Sequence, residues 1–263
     1  MQISGSTVLL TGATGGLGRA IARALHVRGA ELIISGRRGE VLEPLAGELS
    51  ARSLVVDLSV PAEVERLAQD ASEVDILVAN AALPAAGTLD SFSVEEIDRA
   101  LDINLRAPIV LAHALSPGMV TRGKGHLLFM SSLAGKAATP ATALYNASKY
   151  GLRGFASALR ADLRASGVGV SAVFPGFIRD AGMFADAEVK LPPGVGTRTP
   201  DDVARAVVGA IEHNRGEVDV APLPLRASAK LASIAPELAS SLARRLGSEQ
   251  VAGDLEAAQR GKR

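Results

Sequence analysis

Cysteine and tryptophan are both missing from the 263 residues. Without thiols the chain can form no disulfide, thiolate nucleophile or cysteine-ligated metal site. The four histidines, His26, His113, His126 and His213, are dispersed without metal-ligand spacing, so no metal is expected. Neither sign of charge prevails, with 28 Lys plus Arg against 28 Asp plus Glu, and that balance gives no reason to expect a nucleic acid partner. Long apolar runs are absent too: no stretch of about 20 apolar residues is available to span a bilayer. The opening Met1-Gln2-Ile3-Ser4-Gly5-Ser6-Thr7 lacks the basic-then-apolar order of a secretory signal. A cytoplasmic location is therefore the expectation.

Aromatics are scarce, at two Tyr and six Phe, yet 48% of the residues are apolar. A sizeable core is thus expected, built from Ala, Val, Leu and Ile, and the length suits one large α/β domain. Short apolar runs at 7–10, 31–35, 53–56, 75–79, 127–130, 168–174 and 217–221 read as strands. Helix-like segments at 16–28, 40–51, 61–70, 94–120, 143–166 and 201–214 separate them, the fourth bent near Pro108. Continuously apolar strands alternating with helices imply a parallel, doubly wound, Rossmann-like sheet covered on both faces. Residues 1–222 are expected to bind a dinucleotide and carry the chemistry, with 223–263 as a helical extension of the same domain.

The segment Thr11-Gly12-Ala13-Thr14-Gly15-Gly16-Leu17-Gly18 follows the first strand and opens the first helix. Glycines allow a tight turn and close approach of a pyrophosphate, which the free N–H groups and dipole of the helix N-terminus attract. A ligand-free glycine turn is the bland alternative. At the end of the second strand, Ile34-Ser35-Gly36-Arg37-Arg38 offers no carboxylate to hold ribose hydroxyls and two guanidinium groups suited to a 2′-phosphate. NADP(H) is favoured over NAD(H) on that ground, against the alternative that Arg37 and Arg38 form the solvated start of a helix. In Val56-Asp57-Leu58, Asp57 can accept from an adenine amino group or cap the following helix, for which Ser59 is better placed. The small residues of Asn80-Ala81-Ala82 permit close approach to a ribose.

Tyr145 and Lys149 lie one helical turn apart and share a face. An ammonium beside a phenol lowers its pKa from about 10 and makes a usable general acid/base. Ser132, at the end of the fifth strand, can bond a substrate oxygen. Alone, a Tyr-x-x-x-Lys pair reads as ordinary helix surface. With the glycine turn, Asp57, Asn80-Ala81, Asn104 in Asp102-Ile103-Asn104-Leu105, Ser131-Ser132 and Pro175-Gly176 in this order, residues 7–221 resemble the short-chain dehydrogenase/reductase family.

The resemblance implies an oxidoreductase moving a hydride between nicotinamide and a carbonyl or secondary alcohol. Tyr145 would protonate the carbonyl oxygen, Lys149 would bind the nicotinamide ribose, Ser132 rather than Ser131 would steady the substrate oxygen, and Asn104 would anchor a water-linked proton relay. Backbone contacts to the cofactor are implied for Pro175, Gly176 and Ile178, as is a homo-oligomer through the helices at 94–120 and 143–166. Three departures from the pattern stand out. Ala79 and Ala82 replace Asn and Gly around Asn80-Ala81, which asks the turn to avoid positive φ. Asp180 stands where Thr often contacts the nicotinamide amide. The glycine-rich ending is replaced by Pro222-Leu223-Pro224.

Residues 178–199 read either as a substrate lid, with Met183, Phe184, Val189 and Leu191 facing an apolar pocket and Pro192-Pro193-Gly194 as hinge, or as a plain surface loop. Leu83, Leu133 and Phe177 are further pocket candidates, and the substrate leans towards the apolar. In the tail, Leu231, Ile234, Leu238, Leu242 and Leu246 recur at helical spacing among Arg226, Lys230, Arg244 and Arg245, with Pro236 opening a second helix. That amphipathic pattern fits a cover for the cleft, a subunit contact, or peripheral membrane binding. The competing function is a non-catalytic dinucleotide-binding module, a redox sensor or scaffold.

Overall fold

The computed structural model describes residues 1–185, 191, 195–235, 237, 253, 257 and 258. The strands are β1 (Thr7–Leu10), β2 (Glu31–Gly36), β3 (Arg52–Val55), β4 (Ile76–Ala79), β5 (Gly125–Met130), β6 (Val168–Pro175) and β7 (Glu217–Val220). The helices are α1 (Gly16–Val27), α2 (Gly39–Leu49), α3 (Pro61–Asp70), α4 (Val94–Leu101), α5 (Ala107–Thr121), α6 (Ala143–Asp162), α7 (Pro200–Glu212) and α8 (Leu223–Ile234). All neighbouring strands pair in parallel, in the order β3-β2-β1-β4-β5-β6-β7.

Alternating side chains of the strands feed two cores, one on each face. Val8 and Leu10 pack with Ile21 and Leu25 of α1, Leu42 of α2 and Val207 and Ile211 of α7. Leu9 and Leu77 pack on the other face with Leu67 of α3, Leu111 of α5 and Leu152 of α6. Because both faces are covered, β4, β5 and β6 are buried along their whole length, which is the physical origin of their unbroken apolar sequence. The strand order reverses between β1 and β4, and the carboxyl ends of those two strands open a crevice there.

Several boundaries differ from those expected from the sequence. The third strand begins at Arg52 and ends at Val55. Val60 occupies the N-cap of α3 with no side-chain bond, so Ser59 does not cap that helix. The helix expected over 94–120 is interrupted by a π-turn at Asp102–Arg106. The break lies just ahead of Pro108, which sits in the first turn of α5, where its missing N–H costs nothing. The helix expected to reach 166 stops at Asp162, because Ser166 donates to the Leu163 carbonyl and accepts from Val168 N–H while Gly167 takes φ +78°. In the tail, Leu231 and Ile234 of α8 are 42% and 84% exposed. Pro236, the helix expected to begin there and Leu238, Leu242 and Leu246 lie outside the described residues, as do Val189 and Pro192-Pro193-Gly194 of the supposed lid. Among the described residues no helix is long and apolar enough to cross a membrane.

At the opposite end of the sheet from the crevice, His126 of β5 is buried, with Nε2 2.9 Å from the Ser171 hydroxyl of β6. Burial, helped by the positive charges of the N-terminus and Arg160, pushes its imidazole down to about 3. The folded state therefore holds His126 neutral, whereas the unfolded chain binds a proton below about pH 6.5. This group's contribution to stability is complete above that value and is lost as pH falls towards 3. We expect the free energy of unfolding to fall by about 2 kcal/mol between about pH 7.5 and about pH 5, above the carboxylate range. Urea titrations should record that loss in the parent chain and show most of it gone in His126→Gln.

Candidate active site

The crevice is a cavity of about 690 Å³, within the range of a small-molecule site. One wall is the glycine turn. Gly12 takes φ +67°, and a Cβ there would come within 2.7 Å of the Ala81 Cα, so only glycine admits this closeness between the ends of β1 and β4. The Thr11 hydroxyl accepts from the N–H groups of Asn80 and Ala81, each at 3.1 Å. The Asn80 side-chain amide in turn donates to the carbonyls of Thr11 and Gly12. Thus Asn80 braces the turn with its amide while it lines the cavity, and Ala82 avoids the left-handed region, as a residue with a Cβ should.

The helix α1 starts at this turn with Gly15 at its N-cap, no side-chain capping bond and no acid in its first turn. Its leading N–H groups and positive dipole end are left for an anion. Gly12, Thr14, Gly15, Gly16, Leu17 and Gly18 all line the cavity. Arg37 and Arg38 line its far end, beyond the small residues Ser35 and Gly36 that finish β2. A donor-rich turn at one place and two guanidinium groups at another, along one cavity, match a pyrophosphate and a further phosphate in chemistry. A dinucleotide therefore fits the residues present.

Asp57 is held by local contacts. Leu58 and Val56 line the cavity, but Asp57 does not. Its Oδ1 accepts from the backbone N–H and hydroxyl of Ser59, at 2.9 and 2.7 Å. Oδ2 faces Arg99 of α4 at 3.8 Å. An Asx-type turn has captured the carboxylate locally.

At the other end of the cavity stand Ser132, Tyr145 and Lys149, with Ala81, Ala82, Pro175, Gly176 and Ile178 along the same lining. Ser132 opens the 3₁₀ turn Leu133–Gly135, where its hydroxyl accepts from Ala134 N–H. Its hydroxyl donates to the Pro175 carbonyl at 3.4 Å, and its nearness to the Tyr145 phenol lowers that group's pKa slightly. Ser131 is engaged elsewhere, since its hydroxyl donates to the Lys149 carbonyl at 3.1 Å and ties the turn to α6. The structure thereby separates the two adjacent serines.

The expected lowering of the Tyr145 pKa is not found. Burial pushes the phenol up to about 12, against a smaller opposing effect of the Ser132 hydrogen bond. Burial likewise brings Lys149 down to about 8. The ammonium docks on the Met130 carbonyl at 3.0 Å and lies 5.6 Å from the centre of the Tyr145 ring. Removal of the phenol from water outweighs the attraction of a cation so placed.

Asn104 sits in the π-turn and is buried behind the cavity wall. Its Oδ1 accepts from Leu83 N–H at 2.6 Å and its Nδ2 donates to the Leu83 carbonyl at 3.0 Å. Both amide atoms are engaged, so Asn104 holds Leu83 and Ile103 in the lining rather than reaching into the cavity itself.

Of the lid candidates, Met183 lines the cavity, and Phe184 packs on Phe177 with ring centres 5.0 Å apart. Asp180 turns outward, in the left-handed region at φ +72°, and pairs with Arg179 at 3.4 Å. Its neighbours Ala181 and Gly182 face the cavity in its place, and neither was expected from the sequence. The only signal was their smallness beside a residue forced into a left-handed bend. Among the described residues no cluster of His, Asp and Glu could hold a metal.

Comparison with known proteins agrees with this geometry. The short chain dehydrogenase family model matches residues 6–191. The chain is 35% identical over 235 residues to a ketoacyl reductase HetN of Nostoc, covering 86% of this chain and 82% of that one. It is 35% identical over 216 residues to a 3-oxoacyl-[acyl-carrier-protein] reductase FabG of Rickettsia bellii, covering 79% and 89%. A solved short-chain dehydrogenase from Sphingobium yanoikuyae, in complex with NADPH, superposes with a TM-score of 0.78 at 26% identity, covering 88% of this chain and 94% of that one. With the fold, the cavity and the family model in agreement, the chain belongs to the short-chain dehydrogenase family and is an oxidoreductase of that family.

Proposed function

We propose that the chain is an NADP-dependent carbonyl reductase in which Tyr145 is the general acid. The observation that carries this reading is the single cavity that runs from Arg37 and Arg38, past the glycine turn, to Ser132, Tyr145 and Lys149. When bound, the nicotinamide supplies the hydride. The protein residues supply position and the proton. Ser132 bonds the carbonyl oxygen and points it at Tyr145, whose phenol transfers its proton to that oxygen as negative charge develops. With a pKa of about 12 the phenol carries its proton throughout the neutral range, as a general acid must before it acts. The phenolate left behind is stabilised by the Ser132 hydroxyl and by the Lys149 ammonium in the same low-dielectric space.

Arg37 and Arg38 support the preference for NADP, since β2 ends on Gly36 with no carboxylate to repel a phosphate. Met183 and Leu83 in the lining support an apolar substrate end. The names of the two relatives above add 3-oxoacyl thioesters to the ketones and aldehydes worth offering.

The test is NADPH oxidation, followed by absorbance, against 3-oxoacyl thioesters, ketones and aldehydes of graded chain length. Turnover that rises with chain length is expected. Tyr145→Phe should cut kcat by about a thousandfold or more while the NADPH dissociation constant stays within about twofold. Retained turnover would remove Tyr145 from the mechanism, and absence of turnover with every substrate in a chain that binds NADPH would favour a binding module.

Cofactor choice has its own check. A charge-assisted contact to phosphate contributes about 1.5–3 kcal/mol, or tenfold and more in affinity. Arg37→Ala should therefore weaken NADPH by at least about tenfold and leave NADH nearly unchanged. Equal weakening of both, measured by fluorescence titration, would show that Arg37 does not read the 2′-phosphate.

A further inference from the structure

Lys136 is a charged side chain that the proposed mechanism leaves unused, although it lies four residues after Ser132 and is buried. Its ammonium is 2.5 Å from Asp219 Oδ1 and 2.8 Å from Glu217 Oε2. It also lies 3.9 Å from the centre of the Phe174 ring. The strand register explains the meeting. Phe174 of β6 pairs with Asp219 of β7, and Ala172 with Glu217. Two carboxylates two residues apart on the last strand thus project on one face. Arg153 of α6 completes the group with a 2.7 Å bond to Glu217, so two positive and two negative side chains balance. The Lys136 and Asp219 side chains are only 6% and 7% exposed. A buried carboxylate is strongly destabilising once its counter-charge is removed.

The attachment point matters for the active site. Pro175, next to Phe174, supplies the carbonyl that the Ser132 hydroxyl faces at 3.4 Å. Between Ser132 and Lys136 the turn presses against α6: a Cβ on Gly135 would stand 2.7 Å from both the Lys149 carbonyl oxygen and the Ser131 hydroxyl. The turn is therefore fixed at its start by Ser131 and Ser132, in its middle by the closeness of Gly135, and at its end by Lys136. The Lys136 carbonyl additionally accepts from Ser233 of α8 at 3.2 Å.

We propose that Lys136 is a positioning residue: clamped by Asp219 and Glu217 on β7 and seated on Phe174, it holds the turn that aims the Ser132 hydroxyl at Tyr145. The inference rests on the reductase reading for its kinetic consequence and on the ion cluster alone for its structural one. Charged side chains along β7 also protect an exposed sheet edge, and that role would leave the kinetics of a folded variant unchanged.

The experiment compares Lys136→Met and Asp219→Asn with the parent, in the full chain and below each variant's melting temperature. We expect kcat to drop by at least about tenfold while the NADPH dissociation constant stays within about twofold. Since Lys136 acts through Ser132, Lys136→Met added to Ser132→Ala should cost no more than about twofold beyond Ser132→Ala alone. Parent-like kcat in folded variants, or losses that multiply in the double variant, would overturn the proposal. Amide hydrogen exchange of residues 131–137 needs no substrate and so stands apart from the reductase reading. Faster exchange there, with residues 12–18 unchanged, is expected, and unchanged protection would refute the clamp even if no carbonyl compound is turned over. Asp219→Asn keeps the shape of the site and serves both measurements if Lys136→Met does not fold.

Discussion

Two side chains hold the ends of β1 and β4 together where the strand order reverses. Thr11 receives two backbone N–H groups from the β4 exit, and Asn80 returns two bonds to the β1 exit. A parallel sheet leaves its strand ends with unpaired polar groups at such a reversal, and buried ones must find partners. The exchange satisfies them and sets the width of the crevice. With that width fixed, Gly12 can touch Ala81, the α1 N-terminus faces open space, and the exits of β2 and β5 bring Arg37 and Ser132 to opposite ends of one cavity.

The same economy of polar groups runs through the rest of the site. Asn104 gives both amide atoms to the Leu83 backbone, Ser131 gives its hydroxyl to Lys149, and Asp57 gives one carboxylate oxygen to Ser59. These groups build walls. Ser132, Tyr145, Lys149, Arg37 and Arg38 keep atoms turned to the cavity. A buried amide with both ends bonded is rigid and inert, whereas a hydroxyl with capacity to spare can exchange partners with a ligand.

The layered fold was legible in the sequence because strands buried on both faces must be apolar throughout. The runs in β4, β5 and β6 announce themselves in that way. The glycine turn, the paired arginines and the Ser132, Tyr145 and Lys149 set were also visible, and the fold gathers them along one cavity. What could not be read was competition between neighbours. Nothing in Val56-Asp57-Leu58 shows that Ser59 takes the Asp57 carboxylate. At the π-turn, Asn104 is bonded to Leu83 across 21 residues, a contact that local propensity does not encode. Ala181 and Gly182 face the cavity because Asp180 turns outward with Arg179, a choice made by the backbone bend rather than by residue type.

The Tyr145 and Lys149 pair shows why a motif alone misjudges electrostatics. Spacing puts the two on one helical face, and from spacing the ammonium should stabilise the phenolate. In the folded chain Lys149 is buried and Tyr145 half-buried, and each is pushed towards its neutral form, Tyr145 up to about 12 and Lys149 down to about 8. The ammonium rests on the Met130 carbonyl at 3.0 Å rather than on the phenol oxygen. A phenol that keeps its proton and a lysine close to losing one are a charge-poor pair, inexpensive to bury. Negative charge arriving on the phenol oxygen during proton transfer would meet little water and a cation within the same buried space. Its stabilisation by Lys149 is then larger than the same pair could provide at a surface. Burial thus raises the resting pKa and strengthens the response to the charge that develops later, so a high resting value is consistent with an effective acid.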